Sequence, residues 1–123
     1  ISRYLKGEKG KVQMEAMMSS MRNSPPARFG GIPLSFMKDY KTGETYTMKT
    51  SKKEKNIELP SSNVLQFLLQ DGSMVTIRPS GTEPKIKFYA SCKTEPGMDP
   101  DKAKSEVAAK LKKIEEDIDG FLG

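Results

Sequence analysis

Histidine is absent from this chain, and cysteine occurs once, at position 92. The first absence removes the commonest general base and the commonest zinc ligand. The second removes any intrachain disulfide framework and leaves zinc without a thiolate set. Catalysis by this chain alone would fall to Asp, Glu, Lys or Tyr. Cys92 follows an apolar, strand-like run, so packing is its expected role, and a reducing, cytoplasmic setting is the expected one. Long apolar runs are also missing. Nothing approaches the ~20 residues that span a bilayer, and no charged-then-apolar secretory leader opens the sequence. No membrane partner is expected. Apolar residues make up only 35% of the chain. A domain that leans on neighbours reads this way, and so does a loop-rich one.

What is present suits one domain. A chain of 123 residues builds a single modest core. It opens on Ile1 without a methionine, which is expected of a piece of a longer protein. The formal net charge is +5, which favours anionic partners by long-range attraction. Lys52, Lys53 and Lys55 form a short basic run, expected to be a solvated loop. Lys85, Lys87 and Lys93 add charge further on.

The polar residues 1–9 are expected to be a linker or frayed start, with the domain proper at 10–123. After Gly10, Val12, Met14, Met17, Met18 and Met21 recur at roughly helical spacing and predict one apolar stripe. A core face is one reading of it. A methionine docking face for a partner is the other. Asn23-Ser24-Pro25-Pro26 ends that helix. Phe29-Gly30-Gly31 is a flexible lead-in to a strand in which Ile32, Leu34 and Phe36 alternate with other residues. A turn at 41–44 and a short return strand at 45–48 follow, then a lysine-rich loop over 49–60.

Residues 63–70 predict the next strand. Asp71-Gly72 is the strongest hairpin signal in the chain. A two-residue turn there would set Leu69 opposite Met74, Phe67 opposite Thr76 and Leu65 opposite Arg78. A third strand over 85–92 would carry Ile86, Phe88 and Ala90 on one face. The last segment is the clearest helix. Asp99 can cap it and Pro100 suits its first position. Ala103, Val107, Leu111, Ile114, Ile118 and Phe121 share its apolar side. The class that follows is α+β, an antiparallel sheet of about four strands with helices on one face.

The chemistry concentrates in Arg78-Pro79-Ser80-Gly81-Thr82-Glu83-Pro84, between two strand-like runs. Arg78 offers a forked, charge-assisted pair of donors. Ser80 and Thr82 each offer a hydroxyl proton. Gly81 permits positive φ, so consecutive amides can turn inward on an anion. Together these are a seat for a phosphate dianion. Proline, serine and glycine also build ordinary surface turns, and residue types alone leave both readings open.

The longer string Val75-Thr76-Ile77-Arg78-Pro79-Ser80-Gly81-Thr82-Glu83-Pro84-Lys85-Ile86-Lys87-Phe88-Tyr89 resembles the phosphate-binding loop of the α-D-phosphohexomutases, the phosphoglucomutase/phosphomannomutase family. The Lys-Ile-Lys-Phe-Tyr continuation is most similar to the phosphoglucomutase-like branch. Met14 to Met21, Pro25-Pro26, Gly30-Gly31 and Asp39-Tyr40 resemble the opening of the fourth, C-terminal domain of those enzymes. The family's phosphoserine loop, its Asp-x-Asp-x-Asp segment for Mg²⁺ and its sugar-reading Gly-Glu-x-Ser segment do not occur here. A fragment is therefore expected, inactive when isolated.

The resemblance implies the TATA-box-binding-protein-like fold and an intramolecular phosphotransferase. A phosphoserine elsewhere would exchange its phosphoryl group with a hexose 1-phosphate or 6-phosphate, with Mg²⁺ required by the full-length enzyme but not bound here. This domain would hold the phosphate that is not reacting. By the same resemblance Arg78, Ser80, Gly81 and Thr82 are the phosphate ligands, and Lys85 ranks below them as an electrostatic helper. Some relatives carry asparagine at the position of Gly81, so only its backbone N–H would contribute. Glu83 is out of place beside a phosphate and is expected to point away, toward a lysine. The implied partners are a phosphosugar and the other domains of a parent chain. The competing reading is a small basic nucleic-acid-binding module that uses Phe67, Phe88 and Tyr89.

Overall fold

The computed structural model describes residues 2–4, 7–58, 60–79, 85–92 and 97–122. Two helices, α1 (Gly7–Asn23) and α2 (Pro100–Leu122), lie on one side of an antiparallel sheet. The strands are β1 (Ser2–Tyr4), β2 (Arg28–Phe29), β3 (Ile32–Asp39), β4 (Glu44–Thr47), β5 (Lys52–Lys55), β6 (Leu65–Leu69), β7 (Met74–Pro79) and β8 (Lys85–Ser91). Their order across the sheet is β1-β8-β7-β6-β3-β4-β5, with β2 paired to β3 off that path. The class is α+β, as expected, but the sheet has more than the expected four or so strands.

The additional strands are those whose residues carry no apolar alternation. β5, Lys-Lys-Glu-Lys, falls where a lysine-rich loop was expected, and all four residues are exposed. It pairs with β4 from Glu44↔Lys55 to Thr47↔Lys52. Charged side chains on an edge strand discourage further pairing, which is why such a strand has a loop-like composition. β1 lies within the segment expected to be a frayed linker. It pairs with β8 at Ser2↔Lys87 and Tyr4↔Lys85, and α1 begins at Gly7, before Gly10.

The core is one cluster between sheet and helices. Met14, Met17, Met18 and Met21 from α1 are buried there, so the methionine stripe packs inward and is not a docking face. Val12 is the exception to the predicted stripe, at 64% exposed. α2 adds Ile114 and Ile118, and the sheet adds Leu65, Phe67, Val75, Ile77, Ile86 and Phe88. Phe29 meets Phe67 at a tilt, with ring centroids 4.8 Å apart, and meets the ring of Phe121 edge-on at 5.6 Å.

Two details of the ladders depart from the simple alternation. The β6–β7 hairpin closes with a three-residue loop. Leu69 N–H donates to Ser73 O at 2.9 Å, Gly72 N–H donates to Leu69 O at 3.0 Å, and Gly72 has φ +88°. Asp71 keeps negative φ and its carboxylate accepts from the Ser73 amide at 2.8 Å. The loop is thus a turn followed by a left-handed glycine, the geometry that adds one residue to a hairpin. Pairing shifts by one from the expected register, to Leu65↔Ile77, Phe67↔Val75 and Leu68↔Met74. Such a slip exchanges the faces of a whole strand. Here it puts Val75 and Ile77 in the core and turns Met74, Thr76 and Arg78 to the far face.

The second departure is a bulge in β3 between Leu34 and Phe36. Beyond it Met37 and Asp39 face the core, and Phe36, expected to share a face with Leu34, is 40% exposed. Asp39 is buried but satisfied. Its carboxylate accepts from Arg22 Nε at 3.1 and 3.2 Å and from the Lys41 amide at 3.0 Å. Arg22 also donates to Asn63 Oδ1. This cluster ties the end of α1 to the sheet.

At the opposite corner Lys110 of α2 bridges to Asp71 at the hairpin tip, 2.9 Å. Burial by itself pushes the Asp71 carboxyl up. The hydrogen bonds from Lys110 and Ser73, with the Lys110 charge, outweigh that and hold it below its ordinary value. Lys110 is raised, led by its hydrogen bond to Asp71. A depressed carboxyl stabilises the fold above its unfolded value and loses that contribution as pH falls through the folded one. A raised ammonium stabilises below its unfolded value and loses its contribution as pH rises through the folded one. The bridge therefore works across the neutral range and fails at both ends. The urea midpoint is expected to drop as pH falls through and below the ordinary carboxylate range. Lys110→Met should make that acid drop shallower, and an identical slope in both proteins would remove the bridge from the account.

Candidate functional site

The β7–β8 hairpin positions the loop that the sequence singles out. Its ladder runs from Met74↔Ser91 to Arg78↔Lys87 and Pro79↔Ile86. The strand ends flanking residues 80–84 are thus locked in register by a continuous antiparallel ladder. Val75, Ile77, Ile86 and Phe88 anchor both strands in the core. The expected ligands Ser80, Gly81 and Thr82, together with Glu83, lie outside the described residues.

Arg78 is described. It is exposed on the far face of the sheet. Its expected partner Leu65 sits opposite Ile77 instead, and on the other side, across the β7–β8 ladder, Arg78 is paired with Lys87. Directly opposed residues of an antiparallel pair hold their Cβ atoms about 5 Å apart on the same face. Like charges so placed repel. Among the described residues neither Arg78 nor Lys87 has a hydrogen bond or ion pair to relieve this. An anion seated between them would. Lys85, expected to be the electrostatic helper, is half-buried one step beyond Ile86.

Lys87 is therefore the residue that sequence reasoning undervalued. The clue was available in the alternation of Lys85, Ile86 and Lys87. Selecting Lys87 over Lys85 required the register of the β7–β8 ladder.

Other candidates resolve into structure. Phe67 and Phe88, invoked for a nucleic-acid platform, are buried at 0% and 3%, and of the three aromatics only Tyr89 is exposed, at 57%. Cys92 is half-buried and packed against the core, and burial raises its thiol above the ordinary value, so it rests protonated. No group of three His, Cys, Asp or Glu among the described residues could hold a metal ion. Among the described residues no helix is long and apolar enough to cross a membrane.

Comparison with known proteins follows the same direction. Residues 41–114 match the family described as phosphoglucomutase/phosphomannomutase, C-terminal domain. Phosphoglucomutases of Staphylococcus aureus strains MRSA252 and bovine RF122 / ET3-1 are each 39% identical to this chain over 92 residues. The phosphoglucomutase of strain N315 is 38% identical over the same length. In each case the match covers 75% of this chain and 16% of the relative, so the chain spans about one sixth of the length of these proteins. No solved structure matches the chain significantly.

Proposed function

The chain belongs to the phosphoglucomutase/phosphomannomutase C-terminal domain family, and from that premise we propose that it is the substrate-phosphate clamp of a cytoplasmic hexose-phosphate mutase. The observation that carries the reading is the exposed Arg78–Lys87 pair at the root of the 80–84 loop. Two cations held side by side, without partners among the described residues, fit a dianion better than a neutral or singly charged group. Arg78 supplies a forked donor, Ser80 and Thr82 hydroxyls, Gly81 a backbone N–H, Lys87 a second charge, and Lys85 a weaker field.

In the proposed cycle a phosphoserine on another domain passes its phosphoryl group to the free hydroxyl of a hexose monophosphate. The bisphosphate turns over, and the other phosphoryl group returns to serine. Each phosphate of the intermediate must in turn occupy the seat on this domain. A seat that reads charge and tetrahedral oxygens but not the sugar accepts both orientations. Its role is to aim the reacting hydroxyl, and binding energy at a remote phosphate is well suited to that. Phosphoryl transfer relies mainly on positioning and electrostatic stabilisation. The Mg²⁺ that would stabilise the transferring group belongs to polypeptide outside this chain.

The test is an amide and side-chain NMR titration of the 123-residue chain with glucose 1-phosphate. Shifts should cluster at Arg78 and at residues 85–87, with a weak dissociation constant on the order of 1 mM, equivalent to about 4 kcal/mol. The same sample should show no mutase turnover. Silence at tens of millimolar, or a salt-dependent response to a single-stranded oligonucleotide in its place, rejects the reading.

A further inference from the structure

Among the described residues both helices lie on one face of the sheet, and no helix lies on the other. Across it an unbroken apolar strip crosses four strands. Phe36 is the ladder partner of Leu68, and Leu68 of Met74. Met74 lies diagonal to Tyr89, because Met74 pairs with Ser91 and Thr76 with Tyr89. Strands lie about 4.8 Å apart, so the strip is roughly 14 Å long. Phe36 and Tyr89 cap its ends at 40% and 57% exposed.

Cations surround it. Lys38 follows Phe36 by two residues on the same face, and Lys52 reaches that face through the Phe36↔Thr47↔Lys52 row. Lys87 precedes Tyr89 by two, beside Arg78, and this pair is left to the phosphate seat, so the cations free for a carboxylate rim are Lys38 and Lys52. Glu54 is the one carboxylate that the register brings to this face among the described residues, in the Lys38↔Thr45↔Glu54 row.

We propose that this open face is a docking surface for a folded protein surface with an apolar centre and a carboxylate rim, presented by another domain of the full-length mutase. The proposal rests on the mutase reading. Charge selects the occupant. A second copy of this chain would set lysines against lysines. A nucleic-acid strand needs neighbouring rings to stack on, but Phe36 and Tyr89 stand at opposite ends with Leu68 and Met74 between them. The middle of the face is internally bonded: Tyr40 OH donates to Gln66 Oε1 at 3.0 Å, and Gln66 Nε2 to Thr76 Oγ1 at 3.4 Å. Those groups are already satisfied and suit coverage by a protein. Because the strip adjoins Arg78 and Lys87, a domain seated on it also screens the phosphate seat from water on that side.

Hydroxyl-radical footprinting tests this directly. Labelling of Phe36 and Tyr89 is compared between the 123-residue chain and the full-length protein. Labelling of both should fall clearly in the full-length protein, because packing at an interface excludes water from the side chains it covers. Tyr89→Asp in the full-length protein should restore labelling at Phe36 and Met74. Unchanged labelling overturns the proposal. So does protection of the 123-residue chain that appears with rising concentration, or on adding an oligonucleotide. The two readings separate cleanly. A retained glucose 1-phosphate response with an unchanged footprint rejects the docking face alone. A protected footprint without that response rejects the phosphate seat alone.

Discussion

On the proposed reading, Arg78→Ala in the full-length protein is expected to lower kcat/KM for glucose 1-phosphate on the order of 10²-fold. Truncating one partner of a charge-assisted pair costs about 2–5 kcal/mol when the other charge is left desolvated and unmatched, and each 1.4 kcal/mol is about a factor of ten. Both kinetic constants should suffer, because the seat serves the ground state and also holds the orientation that the transition state needs. Arg78→Lys should recover part of the loss, since it keeps the charge but not the fork. The fold should be indifferent. Arg78 is exposed and makes no hydrogen bond or ion pair among the described residues, so thermal unfolding should move by no more than a degree or two. Unchanged steady-state kinetics would remove Arg78 from the phosphate seat. A collapsed melting temperature would mean that the kinetic loss reports folding.

The largest stability effect is expected at Gly30. Gly30 and Gly31 form the two-residue turn between β2 and β3, with φ +58° and +79°. Both angles favour glycine, the pattern of a tight primed hairpin. Only Gly30 is also crowded. A Cβ there would meet Ile114 Cγ1 at 3.0 Å and the Ile114 backbone N at 3.3 Å, while one at Gly31 would meet nothing within 4 Å. The Gly30 amide donates to Asp117 Oδ2 at 2.6 Å, so α2 is drawn against this turn. Left-handed strain costs about 1–2 kcal/mol, and overpacking typically adds 1–3. Gly30→Ala should therefore destabilise by about 2–5 kcal/mol, and Gly31→Ala by only about 1–2. Urea denaturation of both variants measures the difference. Equal midpoints would show that contact with α2 contributes nothing and that backbone strain is the whole effect.

The sequence carried the helices well, because their periodicity is long and their stops are chemical. Pro100 opens α2, and its inward residues Ile114 and Ile118 are those that the spacing predicts. The central strands were legible for a similar reason, since both β6 and β7 alternate. What stayed hidden was set by single residues. The left-handed Gly72 lengthens a turn by one, and the bulge at β3 turns Phe36 outward. The bulge leaves no trace in hydrophobic patterning, whereas the apolar positions 65, 67, 69, 75 and 77 do fit the longer loop, against the more conspicuous Asp71-Gly72 signal. β5 was hidden for the opposite reason: an edge strand dressed in lysine looks like a loop. The proposed phosphate seat rests on Arg78 and the string that follows it, and pairing Arg78 with Lys87 required the β7–β8 register.

That dependence runs the length of a hairpin. Gly72 and Arg78 sit at opposite ends of β7, yet the conformation of the first decides to which side the second is delivered. An insertion or deletion at the tip would carry the guanidinium beneath the helices and bring Val75 and Ile77 out into water. A strand therefore behaves as a parity counter: it transmits a distant change in residue number to its far end at full strength, however far away the change is made.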